Sequence, residues 1–318
     1  MNLPELEHAR NFLEEGDNFL LTSHVNSDWD GLGGCIALKL LLEKLGKEST
    51  IVLHDLPNEF YRFLEGWEYA NKVPEGEVTP VDYAVVLDSP NLSRTGDVVR
   101  CLGDSTRILN IDHHKDTDPF GTVNLISTEV SSACEFVYHL ALKCDREIDA
   151  KMAAQLYTGI LFDTGGFRYS LTTPETFEVA AVLVRQGAQL DYIADQLFNN
   201  KTFDSVKLIG RAVDSMELHF DDLAATLHLA FEDLGSGDPE DIVNYGLLVR
   251  GVKVALLMRE EERGKFRVSL RSRDEVDVRA IAAQFGGGGH TKASGCRLEG
   301  DLAAVKGKLL EAVKSALP

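Results

Sequence analysis

NFLLTSHVNSDWDGLGGCIALKLLLEKLG, residues 18–46, is the stretch that decides the fold. It opens on the apolar run NFLLTS (18–23), which has the character of a buried strand. It closes on GGCIALKLLLEKLG (33–46), where leucines recur at helical spacing before a terminal glycine. Between the two lies SHVNSDWDGLGG (23–34), which puts His24, Asp28 and Asp30 into one turn together with Gly31, Gly33 and Gly34. A single aspartate at a strand end commonly does no more than satisfy loop backbone. Three ligand-type residues at this spacing imply that something charged sits at the end of the strand.

Working outward, the same alternation continues. STIVLH (49–54), DYAVVL (82–87), RILNID (107–112) and TVNLI (122–126) are short and rich in aliphatic or β-branched residues. STEVSSACEFVYHLALKC (127–144) and DAKMAAQLYTGILFD (149–163) have helical patterning. Strands alternating with helices predict an α/β domain with a doubly wound, mainly parallel sheet. Helical texture runs from about 174 to 216, and then changes. LAATLHLAF, VKVALLMRE and KFRVSLRSR alternate like strands of a smaller sheet, with VDVRAIAAQFG and DLAAVKGKLLEAVKSAL as its helices. A chain of 318 residues suits two domains. The expected division is 1–190, a helical connector 191–216, and a smaller α/β domain 217–318, with a cleft between the two domains.

The formal net charge is −19. A binder of long duplex nucleic acid would carry a basic coat, because phosphate neutralisation dominates that affinity. This chain lacks one, which favours a small ligand held locally. No apolar run is long enough to span a bilayer, so no membrane partner is expected. The opening MNLPELEHARNFLEEGDN is acidic and polar, unlike a secretory signal. The five cysteines, Cys35, Cys101, Cys134, Cys144 and Cys296, are scattered, with no C-x-x-C, which fits free thiols in a reducing cytoplasm.

Further ligand-type residues fall at the ends of predicted hydrophobic segments. Asp88 follows YAVVL, Asp112-His113-His114 follows RILNI, and Asp163 ends GILF. In open α/β sheets the ligand crevice lies outside the carboxyl ends of the strands. Aspartate and histidine without cysteine suit Mn²⁺ or Mg²⁺, with Zn²⁺ or Co²⁺ as substitutes. So many carboxylates and histidines exceed what one ion needs and suit two, which can clamp an in-line phosphoryl displacement.

The triplet DHH, with HVNSDWDG upstream, the isolated Asp88 and GILFDTGGFRY downstream, resembles the DHH phosphoesterase family. The tail FGGGGHTKASG (285–295) resembles the DHH-associated C-terminal domain. The resemblance covers nearly the whole chain. It implies that His24 and Asp28 hold one Mn²⁺, that Asp30, His113 and Asp163 hold another, and that Asp88 bridges them. It implies that His114 is a non-ligand histidine facing the scissile phosphate, with Asp112 behind the histidines fixing tautomer and orientation. Asp88, Asp112 and His114 are thereby the catalytic candidates. Trp29 stands between the two aspartates where family members usually carry a small residue, and it offers a stacking face.

GGGGH (286–290) gives unhindered backbone that can form an anion nest. Gly287, Gly288, Gly289, His290 and Arg271 are therefore candidates for holding a substrate phosphate, with Arg94 a further one and Arg168 in GFRY a weaker one. The implied activity is a manganese-dependent phosphoesterase that shortens very short RNA oligonucleotides to mononucleotides and dephosphorylates phosphoadenosine phosphate. Short RNAs and 3′-phosphorylated nucleotides are the expected partners, and a homodimer is compatible with the reading. An alternative is a phosphodiesterase for cyclic or linear dinucleotides such as diadenylates. A more remote one is a non-catalytic nucleic-acid-binding module.

Overall fold

The apolar run of the opening stretch forms β1 (Asn18–Thr22), an interior strand of a six-stranded sheet. In this computed structural model, residues 4–235, 237, 239 and 241–317 are described. Before β1 runs a helix that the sequence patterning above leaves unread, α1 (Pro4–Glu15), which buries Leu6, Ala9, Phe12 and Leu13. After it come α2 (Trp29–Lys44), β2 (Glu48–Leu53), the short β3 (Ala70–Lys72), β4 (Tyr83–Leu87), β5 (Arg107–Asp112) and β6 (Val123–Ile126). The sheet order is β3-β2-β1-β4-β5-β6, and every pairing in it is parallel. The chain builds outward from β1 to β3, then crosses to β4 on the other side of β1. The β1/β4 boundary is thus the topological switch point, where α/β sheets bind ligands.

Side chains alternate between the faces, as strand geometry requires. Phe19, Leu21, Ile51, Val85, Leu87, Leu109 and Ile111 face the main core, which includes residues of α1, α2, α3 (Ala133–Lys143) and α4 (Ala150–Asp163). Leu20, Val52, Ala84, Val86 and Ile108 face a smaller core with Val98 and Cys101 from the 3₁₀ segment Leu92–Cys101. The helices α5 (Pro174–Arg185) and α6 (Leu190–Phe198) belong to the same unit.

The α2 boundary differs from the sequence expectation. The helix starts at Trp29 rather than Gly33, because Asp28 caps it. Its Oδ1 accepts the N–H groups of Asp30 and Gly31 at 3.0 and 3.1 Å. The glycines therefore lie inside the helix and do not break it. A Cβ at Gly31 would run into the Ser23 hydroxyl, and one at Gly33 would lie 3.0 Å from the Gln155 carbonyl of α4. Glycine here permits close approach, at the usual cost in helix propensity.

The second unit begins at Lys201. It comprises α7 (Phe203–Asp214), β7 (Glu217–His219), β8 (Ala224–Leu229), the one-turn α8 (Asn244–Leu247), β9 (Val254–Glu262), β10 (Lys265–Ser272), α9 (Val278–Ala283), β11 (Gly288–Gly289), β12 (Ala293–Glu299) and α10 (Leu302–Ala316). Its sheet has the order β11-β12-β10-β9-β8-β7, antiparallel except for β8 with β9. One face packs Leu256, Met258, Val268 and Leu270 with α9 and α10 residues, and the other packs Leu227 and Leu257 with Leu208 and Ala212 of α7. The helical stretch expected as a connector over 191–216 is accordingly divided. Ile193 of α6 is buried in the first unit's core, and Leu208 of α7 in the second's. No described helix is long and apolar enough to cross a membrane. All five cysteines are free and buried.

Candidate metal centre and active site

The site is assembled at the C-terminal ends of β1, β4 and β5, adjacent strands around the switch point. His24 and Asp28 follow β1, Asp88 follows β4, Asp112 ends β5 and His113 and His114 follow it, and Asp163 is the last residue of α4. Three groups of candidate donors result: His24, Asp28 and Asp88; Asp30, Asp88, His113 and Asp163; and Asp88, His113 and His114. In each, the donor atoms lie within 4.8 Å of one another.

Asp88 belongs to all three groups, and its two oxygens point apart. Oδ2 is 3.3 Å from His24 Nε2, while Oδ1 is 3.5 Å from His113 Nε2. Asp28 Oδ2 lies 3.7 Å from His24 Nε2, and Asp163 Oδ2 lies 3.0 Å from His113 Nε2. Asp88 also holds a φ of 51°, unusual for a residue with a side chain and of the kind that clusters at functional sites.

Neighbouring groups hold each donor in place. His24 Nδ1 donates to the Val25 carbonyl at 2.8 Å, which leaves Nε2 toward the carboxylates. The 24–28 turn is tied at three more points. Val25 N–H donates to Arg94 O at 2.7 Å, Asn26 N–H to Asp55 Oδ2 at 3.0 Å, and the Tyr61 hydroxyl to Ser27 O at 2.9 Å. Asp30 is wholly buried and accepts the Ala133 and Cys134 N–H groups at 2.7 and 2.9 Å, at the start of α3. A Cβ at Gly159 of α4 would come 2.6 Å from Asp30 Oδ1, so glycine is what lets α4 pass. His114 Nδ1 donates to Asp112 Oδ1 at 2.8 Å, and the Thr117 hydroxyl donates to Asp112 Oδ2. Asp112 thus orients His114.

These donors suit a cation. Asp88 Oδ1 and His113 Nδ1 are buried without a hydrogen-bond partner, and His113 Nε2 faces the Asp163 and Asp88 carboxylates. Each such group costs about 1–3 kcal/mol unless something satisfies it. Asp163 sits at the negative end of α4, where a carboxylate is unfavourable until a positive charge joins it. The electrostatics agree. Burial, reinforced by the Asp163 and Asp88 charges, pushes the Asp30 carboxyl well above its usual range, and burial raises Asp163 to about 7. Burial opposes charge on His24, but Asp28 and Asp88 outweigh it and push the imidazole up to about 11. Burial likewise opposes the charge on Asp88, yet His113 and His24 hold that carboxyl well below the usual range. Crowded carboxylates that need cations beside them are the condition a metal would relieve. Cys134 belongs to none of the three donor groups, and burial with the Asp30 charge pushes its thiol well above the usual range.

The candidate phosphate-holding residues are placed as follows. Arg94 is exposed in the 3₁₀ segment, with its carbonyl clipped to the metal-bearing turn. Arg168 Nε donates to Gly165 O at 2.5 Å. Arg271 is half-buried on β10, its Nη1 donating to Leu270 O at 3.1 Å. The glycine tail differs from the expected open nest. Gly287 N–H donates to Ala282 O and His290 N–H to Ala293 O, while Gly288 and Gly289 pair with β12. Tight pairing explains the composition, since a Cβ at Gly287 would strike the Gly295 carbonyl and Gly289 has a φ of 137°. His290 is exposed at the tip of this hairpin. Asp55, Tyr61 and the α3 N-terminus had no signal of their own in the sequence. Only the fold brings them to the site.

A parallel sheet with aspartates and histidines converging at its switch point, followed by a smaller mixed-sheet unit, defines a two-unit α/β protein with a candidate metal centre. The comparisons narrow this. Residues 18–160 match the DHH family, N-terminal domain, and residues 225–317 match the DHHA1 domain. The chain is 36% identical over 308 residues to the bifunctional oligoribonuclease and PAP phosphatase NrnA of Thermus thermophilus, covering 95% of this chain and 91% of that protein. It is 28% identical over 291 residues to the protein of the same name from Bacillus subtilis, covering 89% and 90%. Among solved structures, an exopolyphosphatase-related protein from Bacteroides fragilis superposes with a TM-score of 0.89 at 25% identity, over 98% of this chain and 96% of that one. The chain belongs to the DHH family and carries a DHHA1 domain. It is a hydrolytic phosphoesterase.

Proposed function

We propose that this enzyme is a manganese-dependent phosphoesterase that trims very short RNA oligonucleotides to mononucleotides and removes a phosphate from phosphoadenosine phosphate. The observation that carries this reading is Asp88, whose two oxygens serve two separate donor groups. That arrangement suits two ions, one with His24 and Asp28, the other with Asp30, His113 and Asp163. Ions held by these residues would supply an activated water and charge to neutralise the phosphoryl oxygens. Mn²⁺ suits the oxygen and imidazole donors, with Mg²⁺ or Co²⁺ as substitutes.

The protein's own groups do the rest. Asp112 holds His114 by Nδ1 and so orients the imidazole that is assigned to the scissile phosphate or leaving oxygen. Arg94 of the first unit, and Arg271 and His290 of the second, are the side chains assigned to substrate phosphate. The net charge of −19 favours short substrates over long duplexes. The oligoribonuclease and PAP phosphatase names of the two relatives support the substrate pair, and the free thiols fit a reducing cytoplasm. The test is a substrate panel with Mn²⁺: phosphoadenosine phosphate, a dinucleotide, a 5-mer, a 24-mer and cyclic diadenylate. Turnover of the first three well above the 24-mer is expected. Preference for the 24-mer or for cyclic diadenylate would overturn the reading.

A further inference from the structure

Trp29 is the residue of this centre that the proposed chemistry does not use. It lies between Asp28 and Asp30, so its Cα is about 3.8 Å from each of theirs. The residue is only half-buried. Tyr61 stacks on it with ring centroids 4.0 Å apart at 30°, and Phe63 tilts against it at 5.1 Å. Both of those rings pack against the main core, and the Tyr61 hydroxyl is tied to Ser27 O at 2.9 Å. Phe63 in turn meets Tyr192 edge-on at 6.1 Å, and Tyr192 is exposed.

We infer that the Trp29 indole, backed by Tyr61, is the stacking surface for the nucleobase next to the scissile phosphate. This deepens the proposed function and rests on it, since it needs a substrate that carries a base. The indole is flanked in sequence by candidate ligands of both ions, so a phosphate bound there brings its nucleoside into the neighbourhood of Trp29. A ring already fixed against Tyr61 and Phe63 loses little freedom on binding. A flat aromatic surface accepts any base, because every base has a π-face. It also resolves a difficulty of charge. A chain with net charge −19 cannot gather nucleotides by a general basic coat, and stacking supplies affinity that does not depend on positive charge.

The chain has two tryptophans, so Trp67→Phe leaves Trp29 as the only indole reporter. In that variant, adenosine monophosphate should quench the emission and ribose 5-phosphate, which lacks the base, should not. Trp29→Leu should raise KM for the RNA dinucleotide of the panel by about tenfold with little change in kcat, whereas Trp29→Phe should stay within about threefold of the parent. The inference falls if adenosine monophosphate leaves the emission unchanged, or if Trp29→Leu lowers only the melting temperature and not the apparent affinity. Should Trp29→Leu fail to fold, the quenching comparison decides alone. Quenching by the nucleotide in a protein that hydrolyses none of the panel would sink the proposed function and leave the stacking surface standing.

Discussion

The two halves of the candidate metal centre are held in different ways. The half made by Asp30, His113 and Asp163 is deep. Asp30 is fully buried, and the His113 and Asp163 side chains are 6% and 13% exposed. The half made by His24 and Asp28 is shallower, at 12% and 31%. The deep half draws its residues from β5, α2 and α4, packed elements that cannot move without disturbing the core. The shallow half sits on the β1–α2 turn, which is pinned by single hydrogen bonds from Arg94, Asp55 and Tyr61. Asp88 is the shared wall. An ion in the deep half should therefore exchange slowly, and one in the shallow half should be the labile one nearer to water.

The largest expected effect removes the wall. Asp88→Ala should lose both ions and lower kcat/KM by about 10³-fold or more, since the carboxylate shared by the donor groups would serve both charges. Metal analysis showing two ions per chain in that variant would break the comparison at its root. His113→Ala should lose the slow ion and His24→Ala the fast one, as followed by timed dialysis against a chelator.

His114 tests where the deep half ends, because Asp88, His113 and His114 also form a donor group. With Nδ1 engaged by Asp112, His114 is assigned to the reacting phosphate. His114→Ala should keep both ions and lose about 10²–10⁴ in kcat. Loss of the slow ion instead would make His114 a ligand of the deep half.

The second unit provides a control outside both halves. Arg271→Ala should leave metal content unchanged and raise KM by roughly 10- to 100-fold, as expected for one charge-assisted contact to phosphate. A fall in kcat at saturating substrate with KM unaltered would contradict that placement.

Chemistry made the ligand clusters legible in the sequence, because aspartates and histidines at the ends of apolar runs have few ordinary reasons to be there. The parallel sheet was legible from the same runs. What could not be read was tertiary. Gly31 looks like a break in a one-dimensional pattern, but it is a close approach to Ser23, and Gly159, inside a run that reads simply as helical, is what lets α4 pass Asp30. The connector over 191–216 reads as one helical stretch, because α6 and α7 are both amphipathic. Only packing shows that Ile193 and Leu208 are buried in different cores. Asp55 carried no signal, since its partner is the backbone of Asn26.

That last contact yields the smallest and most specific effect. Asn26 takes a φ of 52°, and its N–H donates to Asp55 Oδ2. Asp55→Ala removes the acceptor and releases the turn between His24 and Asp28, while β5, α2 and α4 keep the deep half in place. Affinity for the labile ion should fall by about tenfold, at the low end of what supporting contacts around metal ligands contribute. Affinity for the slow ion should not change. Asp55→Asn retains an oxygen to accept the Asn26 N–H, so it should recover most of the loss. A merely structural role would lower both affinities and the melting temperature together, and Asn would not discriminate. Calorimetric titration of the metal-stripped variants separates these cases. Equal weakening of both ions would mean that the two halves are one rigid body and that their difference in burial has no consequence for binding.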